Sequence, residues 1–522
     1  MVLKALFKSA ARSAPKATSV NHENAPAYAL DSRTALAQLA ATGCFGSTFY
    51  VTGQEQLDKV LEHAGRCDPV FVAKVAVYAR ERGFMKDMPA VLLAHLATRG
   101  AEGIAAMKAA FPRVVNNGRM LRAYVQVIRS GQLGRKSLGT APKKVVQRWL
   151  GARSAMSLFS DSVGNDPSLA DVIKMVHPTP TSDEQRAMYG YLLGKPYDVE
   201  KLPYTVRSYE AWKRGEGDGS VPKVPSLMLA GLPLGKKEWT EIAKHARWHE
   251  TRMNLNTYQR HGVFDDEALV KLIASRLADK DEVRAAKVFP YQLLVAWKTA
   301  SEVPALIQNA LQEAMEHSLE NIPEIDGQVV ICPDVSGSMQ SAVTGYRKGA
   351  TSTVRCVDVA AMISAALLRK SPLARVIPFE QDVRSIRLNP QDSVMTLSQQ
   401  LASIGGGGTS CSAPLSLLNK EKAKVDAVIY VSDNESWVDA QDKSGYQRGT
   451  AIMEEWTKLR QRNPQAKLVC VDLTPNTHKQ AIDRPDILNV GGFSDAVFDV
   501  TAQFIKAEGQ APWAEVIDRT EL

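Results

Sequence analysis

Asp334, Ser336 and Ser338 form a D-x-S-x-S pattern directly after the apolar run "QVVICP". Such a run reads as a buried strand, and here it delivers one carboxylate and two hydroxyls into a single tight loop. These are oxygen ligands only, suited to one hard divalent cation, Mg²⁺ ahead of Mn²⁺ or Ca²⁺, and not to zinc or copper. Two further loops add to the set: Thr409 follows the glycine run Gly405–Gly408, and Asp433 follows "AVIYVS". In a doubly wound sheet the loops beyond the strand C-termini share one crevice, and the first and fourth strands are expected to lie near each other. The glycines let the Thr409 backbone approach without a Cβ in the way. Two acids and three hydroxyls leave the coordination shell incomplete, with room for water or for a carboxylate brought by a partner. D-x-S-x-S by itself also reads as a helix N-cap, and the other two loops are what favour the metal.

The elements that must position these residues begin after "NIPEIDG". From there apolar runs of strand length alternate with helices: "QVVICP", "VDVAAMISAALLRK", "RVIPFE", a helix, "VDAVIYVSD", "AIMEEWTKLRQR", "KLVCVDLT" and "SDAVFDVTAQFIKAEG". Continuous rather than alternating hydrophobicity marks strands buried on both faces, which predicts a doubly wound α/β domain with a mainly parallel sheet. Ahead of it, from about Ser32 to Glu320, the pattern is helical throughout. "TALAQLAATG", "DPVFVAKVAVYARERG", "MPAVLLAHLATRG" and "EWTEIAKHARWHETRMNLNTYQRHG" each place apolar residues three and four apart, and each ends on glycine. Short helices with short turns and no long heptad run predict helix pairs stacked as a HEAT-like solenoid. The Gly- and Pro-rich stretch Arg214–Pro225 reads as a loop between helices.

Charge divides along the same line. The chain carries a net +8, yet residues 101–150 alone hold ten basic residues against one acid, Glu102. A local excess of that size calls for a polyanion. On "NNGRMLRAYVQVIRSG", Arg119, Arg122 and Arg129 project within about a quarter of the helical circumference, beside an apolar stripe of Leu121, Val125 and Ile128. Arg135 and Lys136 occupy the next loop. Lys143, Lys144 and Arg148 lie on the following helix, with Val145 and Trp149 on its buried side. Arginine forks and lysine point charges in a row would follow a phosphodiester backbone. His177, in "KMVHPTP", ends a helix before Pro178, where an imidazole suits the terminal carbonyls.

At 522 residues the chain exceeds one hydrophobic core, so two or more domains are expected. The six cysteines, Cys44, Cys67, Cys332, Cys356, Cys411 and Cys470, show no ligand-like spacing and fit reduced, buried thiols in a cytoplasmic protein. No apolar run approaches the roughly 20 residues of a membrane span. Residues 1–25, with Lys4, Lys8, Arg12 and Lys16, read as a flexible basic tail, with an organellar presequence as the alternative. Enzyme motifs are missing: no G-x-x-x-x-G-K-[ST], no H-E-x-x-H and no G-x-S-x-G, and "GLPLGKK" has the wrong spacing for a phosphate loop. A non-enzymatic binding protein is expected.

The Asp334, Thr409 and Asp433 loops resemble the metal-ion-dependent adhesion site of von Willebrand factor type A domains, over roughly residues 326–510. The segments "CDPVFVAKVAVYARERGFMKDMPAVLLAHLA", "DVIKMVHPTP" and "WHETRMNLNTYQRHGVF" resemble the TROVE module. That order of parts is the one found in the Ro autoantigen family and its bacterial relatives. The resemblance implies a TROVE domain over 26–322 and a type A domain over 323–522, with the helical repeats closing into a ring. It further implies a monomer binding Y-type small non-coding RNA on its outer basic face. Single-stranded 3′ ends of misfolded or immature RNA would enter the channel, in concert with a 3′-to-5′ exoribonuclease. His177 matches a family histidine placed at the RNA surface. Ser410 departs from the family, which often carries Asp after the threonine, and coordination is expected to be weaker or arranged differently. The alternative function is a metal-dependent protein-adhesion scaffold that captures an acidic partner.

Overall fold

The computed structural model describes residues 14–41, 51–216, 219–229, 231–343, 354–439, 449–492, 496–506 and 513–522. Cys44 lies outside these residues. The chain forms two compact units, one of residues 1–66, 287–298 and 315–519, the other of residues 67–286, 299–314 and 520–522. This division differs from a single boundary at 322/323, since the described residues 14–41 and 51–66 group with the C-terminal part.

In the helical unit, local signals and packing agree. Helix Pro69–Glu81 starts at Asp68, whose carboxylate accepts from the Phe71 amide at 2.8 Å, with proline at the first helical position. It packs on both Asp87–Leu96 and Gly100–Val114, and Asp87–Leu96 also packs on Gly118–Arg129. These two helices thus meet their next and next-but-one neighbours, the layering that the periodicity predicts. The long run 236–260 is two helices, Lys236–His245 and Trp248–Arg260. Ala246 and Arg247 turn extended between them, and the Glu250 carboxylate accepts from the Arg247 amide at 3.4 Å. No glycine or proline announces this break; the side-chain cap makes it.

The other unit contains a parallel sheet. Its strands are β3 (Val329–Pro333), β4 (Arg375–Val376), β5 (Ala427–Ser432), β6 (Lys467–Asp472) and β8 (Ile487–Gly491), in the order β4-β3-β5-β6-β8. Val330, Cys332, Val428, Tyr430, Leu468 and Cys470 line one face against Leu415, Leu418, Met453 and Trp456 from two helices. Helix Cys356–Lys370, buried from Cys356 through Leu368, packs on β3 and β5. Burial on both faces explains the unbroken hydrophobic runs. The direction of winding reverses between β3 and β5, which creates the crevice at their C-terminal ends. The strand bearing Asp433 is third in the order of this sheet, not fourth, and pairs with β3 directly.

A second, small sheet lies in the same unit: β1 (Ser19–Val20), β2 (Pro26–Ala29) and β7 (His478–Lys479), in the order β1-β2-β7. For residues 14–25 it corrects the expectation of a flexible tail, while residues 1–13, with Lys4, Lys8 and Arg12, lie outside the described residues. The Asn21 side chain accepts from the amides of Glu23 and Ala25 at 3.1 and 2.9 Å and closes the β1–β2 turn. Tyr28 donates to the Pro15 carbonyl at 2.7 Å. Cys67, Cys332, Cys356, Cys411 and Cys470 are buried free thiols. Among the described residues no helix is long and apolar enough to cross a membrane.

Candidate metal centre and candidate nucleic-acid interface

Three loops meet at the C-terminal end of the parallel sheet. Asp334 follows β3; its Oδ1 accepts from the Ser336 amide at 2.8 Å and its Oδ2 from the Ser432 hydroxyl at the end of β5, at 2.6 Å. The glycine run is tied to this first loop by backbone bonds, Gly406 N–H to Val335 C=O at 2.9 Å and Gly337 N–H to Gly407 C=O at 2.8 Å. Gly405 has φ +92° and stands so close to Val335 that a Cβ would lie 2.1 Å from its carbonyl oxygen. Only glycine fits there. The Thr409 carbonyl accepts from the Trp437 and Val438 amides, both at 3.0 Å, which joins the second loop to the one after Asp433. Asp334, Ser336, Thr409 and Asp433 are buried, while Ser338, whose hydroxyl lies 3.3 Å from that of Ser336, is half-buried. All five residues read from the sequence are therefore held by one connected set of loops.

The electrostatics ask for a cation. Burial raises the Asp433 carboxyl well above the usual range, the neighbouring Asp334 raises it further, and the Ser338 hydroxyl offsets part of this. Asp334 is raised as well, by burial first. Sequence reasoning missed Asp472, the last residue of β6, which pairs in register with Ser432. It is buried, and its carboxyl is pushed well up by burial and then by Asp433. One oxygen of Asp433 and one of Asp472 are buried with no hydrogen-bond partner. Like charges gathered out of water, with orphaned oxygens among hydroxyls, fit a hard divalent ion. Glu380 was also missed: its carboxylate accepts from the Gly407 amide at 2.8 Å and pairs with Arg384, bracing the glycine loop. A carboxylate at the C-terminal end of a buried strand was the available signal for Asp472.

The basic residues sort into three groups. Arg129, Lys136, Lys143 and Lys144 line a cleft of about 670 Å³, together with Gln147 and Met175. No carboxylate is among its lining residues. Gln147 donates to the Val176 carbonyl at 2.6 Å, bringing the end of helix Leu169–Val176 to the cleft wall. His177 caps that helix in the left-handed conformation (φ 51°) and is exposed just past this wall residue. Arg148 is exposed on helix Thr140–Gly151 outside the lining. Arg119 is exposed and groups electrostatically with Lys86 and Arg80, not with the cleft.

Two arginines are structural, which corrects the sequence expectation. Arg122 is only 8% exposed; its guanidinium donates to the carbonyls of Asp161 at 2.7 Å and Val163 at 2.5 Å. It borders the apolar stripe of its helix closely enough to be drawn inward, where it satisfies the last carbonyl of helix Ala155–Asp161 and that of Val163 just beyond it. Gly118 abuts the same helix end, its amide donating to the Asp161 carboxylate at 2.7 Å, and a Cβ there would meet the Asp161 carbonyl at 2.3 Å. Arg135 folds back on its own loop, donating to Ser137 C=O at 3.0 Å and Leu138 C=O at 2.5 Å, and to Ala97 C=O at 3.3 Å. It shapes the wall that presents Lys136. Trp149 is half-buried as its helix turns, its indole donating to the Val115 carbonyl at 2.6 Å.

Residues 328–505 match the model of the Ro60 vWA domain. Over 92% of its length the chain is 24% identical to a Deinococcus radiodurans protein named RNA-binding protein RO60, covering 94% of that protein. A Caenorhabditis elegans protein of the same name is 24% identical over 33% of this chain and 28% of its own length. The solved structure of the Deinococcus radiodurans RO (RSR) protein superposes with a TM-score of 0.65 at 22% identity, covering 91% of this chain and 99% of that one. The helical unit and the parallel α/β unit share that protein's fold, and residues 328–505 match a von Willebrand factor A domain of the Ro60 kind.

Proposed function

We propose that this chain is a non-enzymatic RNA-binding protein whose helical unit grips RNA at the cleft of Arg129, Lys136, Lys143 and Lys144. The observation that carries the reading is that cleft: four cations around about 670 Å³, with no acid among the lining residues. The name of the relative that aligns over almost the whole chain supports it. Within this reading the cleft takes the backbone of a small structured RNA of the Y type, with Arg148 and His177 extending the contact. Single-stranded 3′ ends of misfolded or immature RNA are the second ligand, selected by shape and charge and not by base sequence. The chain then acts in the cytoplasm beside a 3′-to-5′ exoribonuclease that performs the chemistry.

In the α/β unit, Asp334, Ser336, Ser338, Thr409 and Asp433 would hold one divalent cation, Mg²⁺ by preference, with Asp472 adding charge. Bound there, the cation supplies Lewis acidity toward one more oxygen ligand, such as a carboxylate of a protein partner. The adhesion reading thus attaches to this unit, and RNA binding to the other.

The test is fluorescence anisotropy of a labelled stem-loop RNA against the full chain over a salt series. If all four cleft cations neutralise phosphates, the log–log salt slope is about −3 to −4. Replacing Lys136, Lys143 and Lys144 together by Glu should weaken binding by about 100-fold or more at low salt and flatten the slope. Unchanged affinity and slope in that variant would reject the cleft as the binding surface.

A further inference from the structure

Beside the oxygen-lined centre, a different donor set converges on one point. Glu435 Oε1 lies 2.8 Å from His22 Nδ1 and 2.7 Å from His478 Nε2, and the two imidazole rings are 4.9 Å apart in an edge-on arrangement. All three ligand atoms fall within 4.8 Å of one another. Glu435 is completely buried, His478 is 7% exposed, and His22 opens to solvent.

The three residues come from separate parts of one compact unit. His22 sits in the turn between β1 and β2, and the small sheet pairs Ala29 with His478. Glu435 follows Asp433 with Asn434 between them at φ 65°, a left-handed turn that asparagine tolerates. The carboxylate is oriented before any ion arrives: Asn476 Nδ2 donates to Oε1 at 3.3 Å and the His22 amide to Oε2 at 3.1 Å. The turn bearing His22 is pinned by the Asn21 side chain, which donates to the Ser436 carbonyl at 2.7 Å.

We propose that His22, Glu435 and His478 form a second metal site, for a borderline transition ion of the Zn²⁺ class, separate from the Mg²⁺-type centre. Two imidazole nitrogens and one carboxylate oxygen suit such an ion, whereas the neighbouring set of carboxylates and hydroxyls suits a hard one. Ligands of a tetrahedral zinc ion stand about 3.3 Å apart, so the two hydrogen bonds to Oε1 must open by about half an ångström to admit it. The solvent-facing side of His22 leaves the fourth position for water. Occupancy would clasp the N-terminal hairpin to the loop that also carries Asp433, so that each ion affects the other's affinity.

The experiment uses the full chain, stripped with chelator and returned to excess Mg²⁺, then titrated with Zn²⁺ or with Co²⁺ as a spectroscopic probe. One Zn²⁺ per chain is expected, with visible Co²⁺ absorption of the intensity that four-coordinate sites give. His22→Ala lies in an open turn and should fold; it should lose about 100-fold or more in Zn²⁺ affinity and abolish the Co²⁺ band. His478→Gln should do the same, and Asp334→Asn should keep one Zn²⁺ per chain and the Co²⁺ band, with only the affinity shifted. The absence of stoichiometric Zn²⁺ in the Mg²⁺-saturated chain would overturn the site, leaving a buried carboxylate held by two imidazoles. Equally fatal is a signal lost in Asp334→Asn but kept in His22→Ala, which would assign the ion to the oxygen-lined centre.

Discussion

Arg122→Met separates a structural arginine from a binding one. Methionine keeps the unbranched apolar stem of the side chain and its contacts along the apolar stripe but removes the guanidinium and both donors. The wild-type guanidinium makes two short bonds to the carbonyls of Asp161 and Val163, and it is 8% exposed, so water does not replace it cheaply. Hydrogen bonds from a charged group contribute about 1.5–3 kcal/mol each, and the two carbonyls are left unpaired, which puts the loss at about 3–5 kcal/mol. For a unit of this size each kcal/mol moves the midpoint by about 2–4 °C, so the helical unit's melting transition should fall by about 6–20 °C. The assay is calorimetry on the full chain, with Arg129→Met as the exposed control; Arg129→Met should leave the transition within about 1 °C. RNA affinity, measured well below the melt, should drop in Arg129→Met and stay near wild type in Arg122→Met. An Arg122→Met protein with an unchanged melt and a loss of RNA affinity equal to the control would refute the assignment.

Mg²⁺ should raise the melting temperature of the α/β unit and chelation should lower it; at about 100-fold over the dissociation constant the gain is about 2.7 kcal/mol. Asp433→Ala should abolish that response while sparing RNA binding, and equal loss of RNA affinity would place the metal in the RNA path. Asp358 is a pH probe: its carboxylate accepts from Lys298 Nζ at 2.7 Å and from the Arg355 guanidinium at 2.8 Å, and despite the cost of burial these partners hold its pKa below the ordinary value. A depressed carboxyl stabilises the fold above its unfolded pKa near 4 and loses that contribution as pH falls through the folded value. Asp358→Asn should therefore cost about 2 kcal/mol in urea melts at pH 7, with the gap to wild type shrinking below about pH 4. A gap independent of pH would mean that the ion pairs contribute nothing.

Much of this was readable from local signals. The runs around Val329–Pro333, Ala427–Ser432 and Lys467–Asp472 are strands because both faces are buried, and strand ends are where Asp334 and Asp433 had to emerge. What stayed hidden depends on distant partners. β1, β2 and β7 are two to four residues long and carry no periodicity, so the pairing of the N-terminal segment with His478 leaves no trace in the sequence. His22, Glu435 and His478 are three unremarkable residues until that sheet forms. Arg122 matched the spacing of a surface cation, but its position at the margin of the apolar stripe and the carbonyls of a later helix decided otherwise. Lys136, Lys143 and Lys144 were legible because they are charged side chains lining one cleft whose walls carry no acid.

The most direct test of the account is ultraviolet crosslinking of the full chain to a stem-loop RNA with a single-stranded 3′ tail, read by mass spectrometry. The account predicts crosslinked peptides concentrated between Arg129 and Arg148 and around His177, disappearing as salt is raised. Crosslinks confined to residues 328–505, with the 129–148 segment silent, would contradict it.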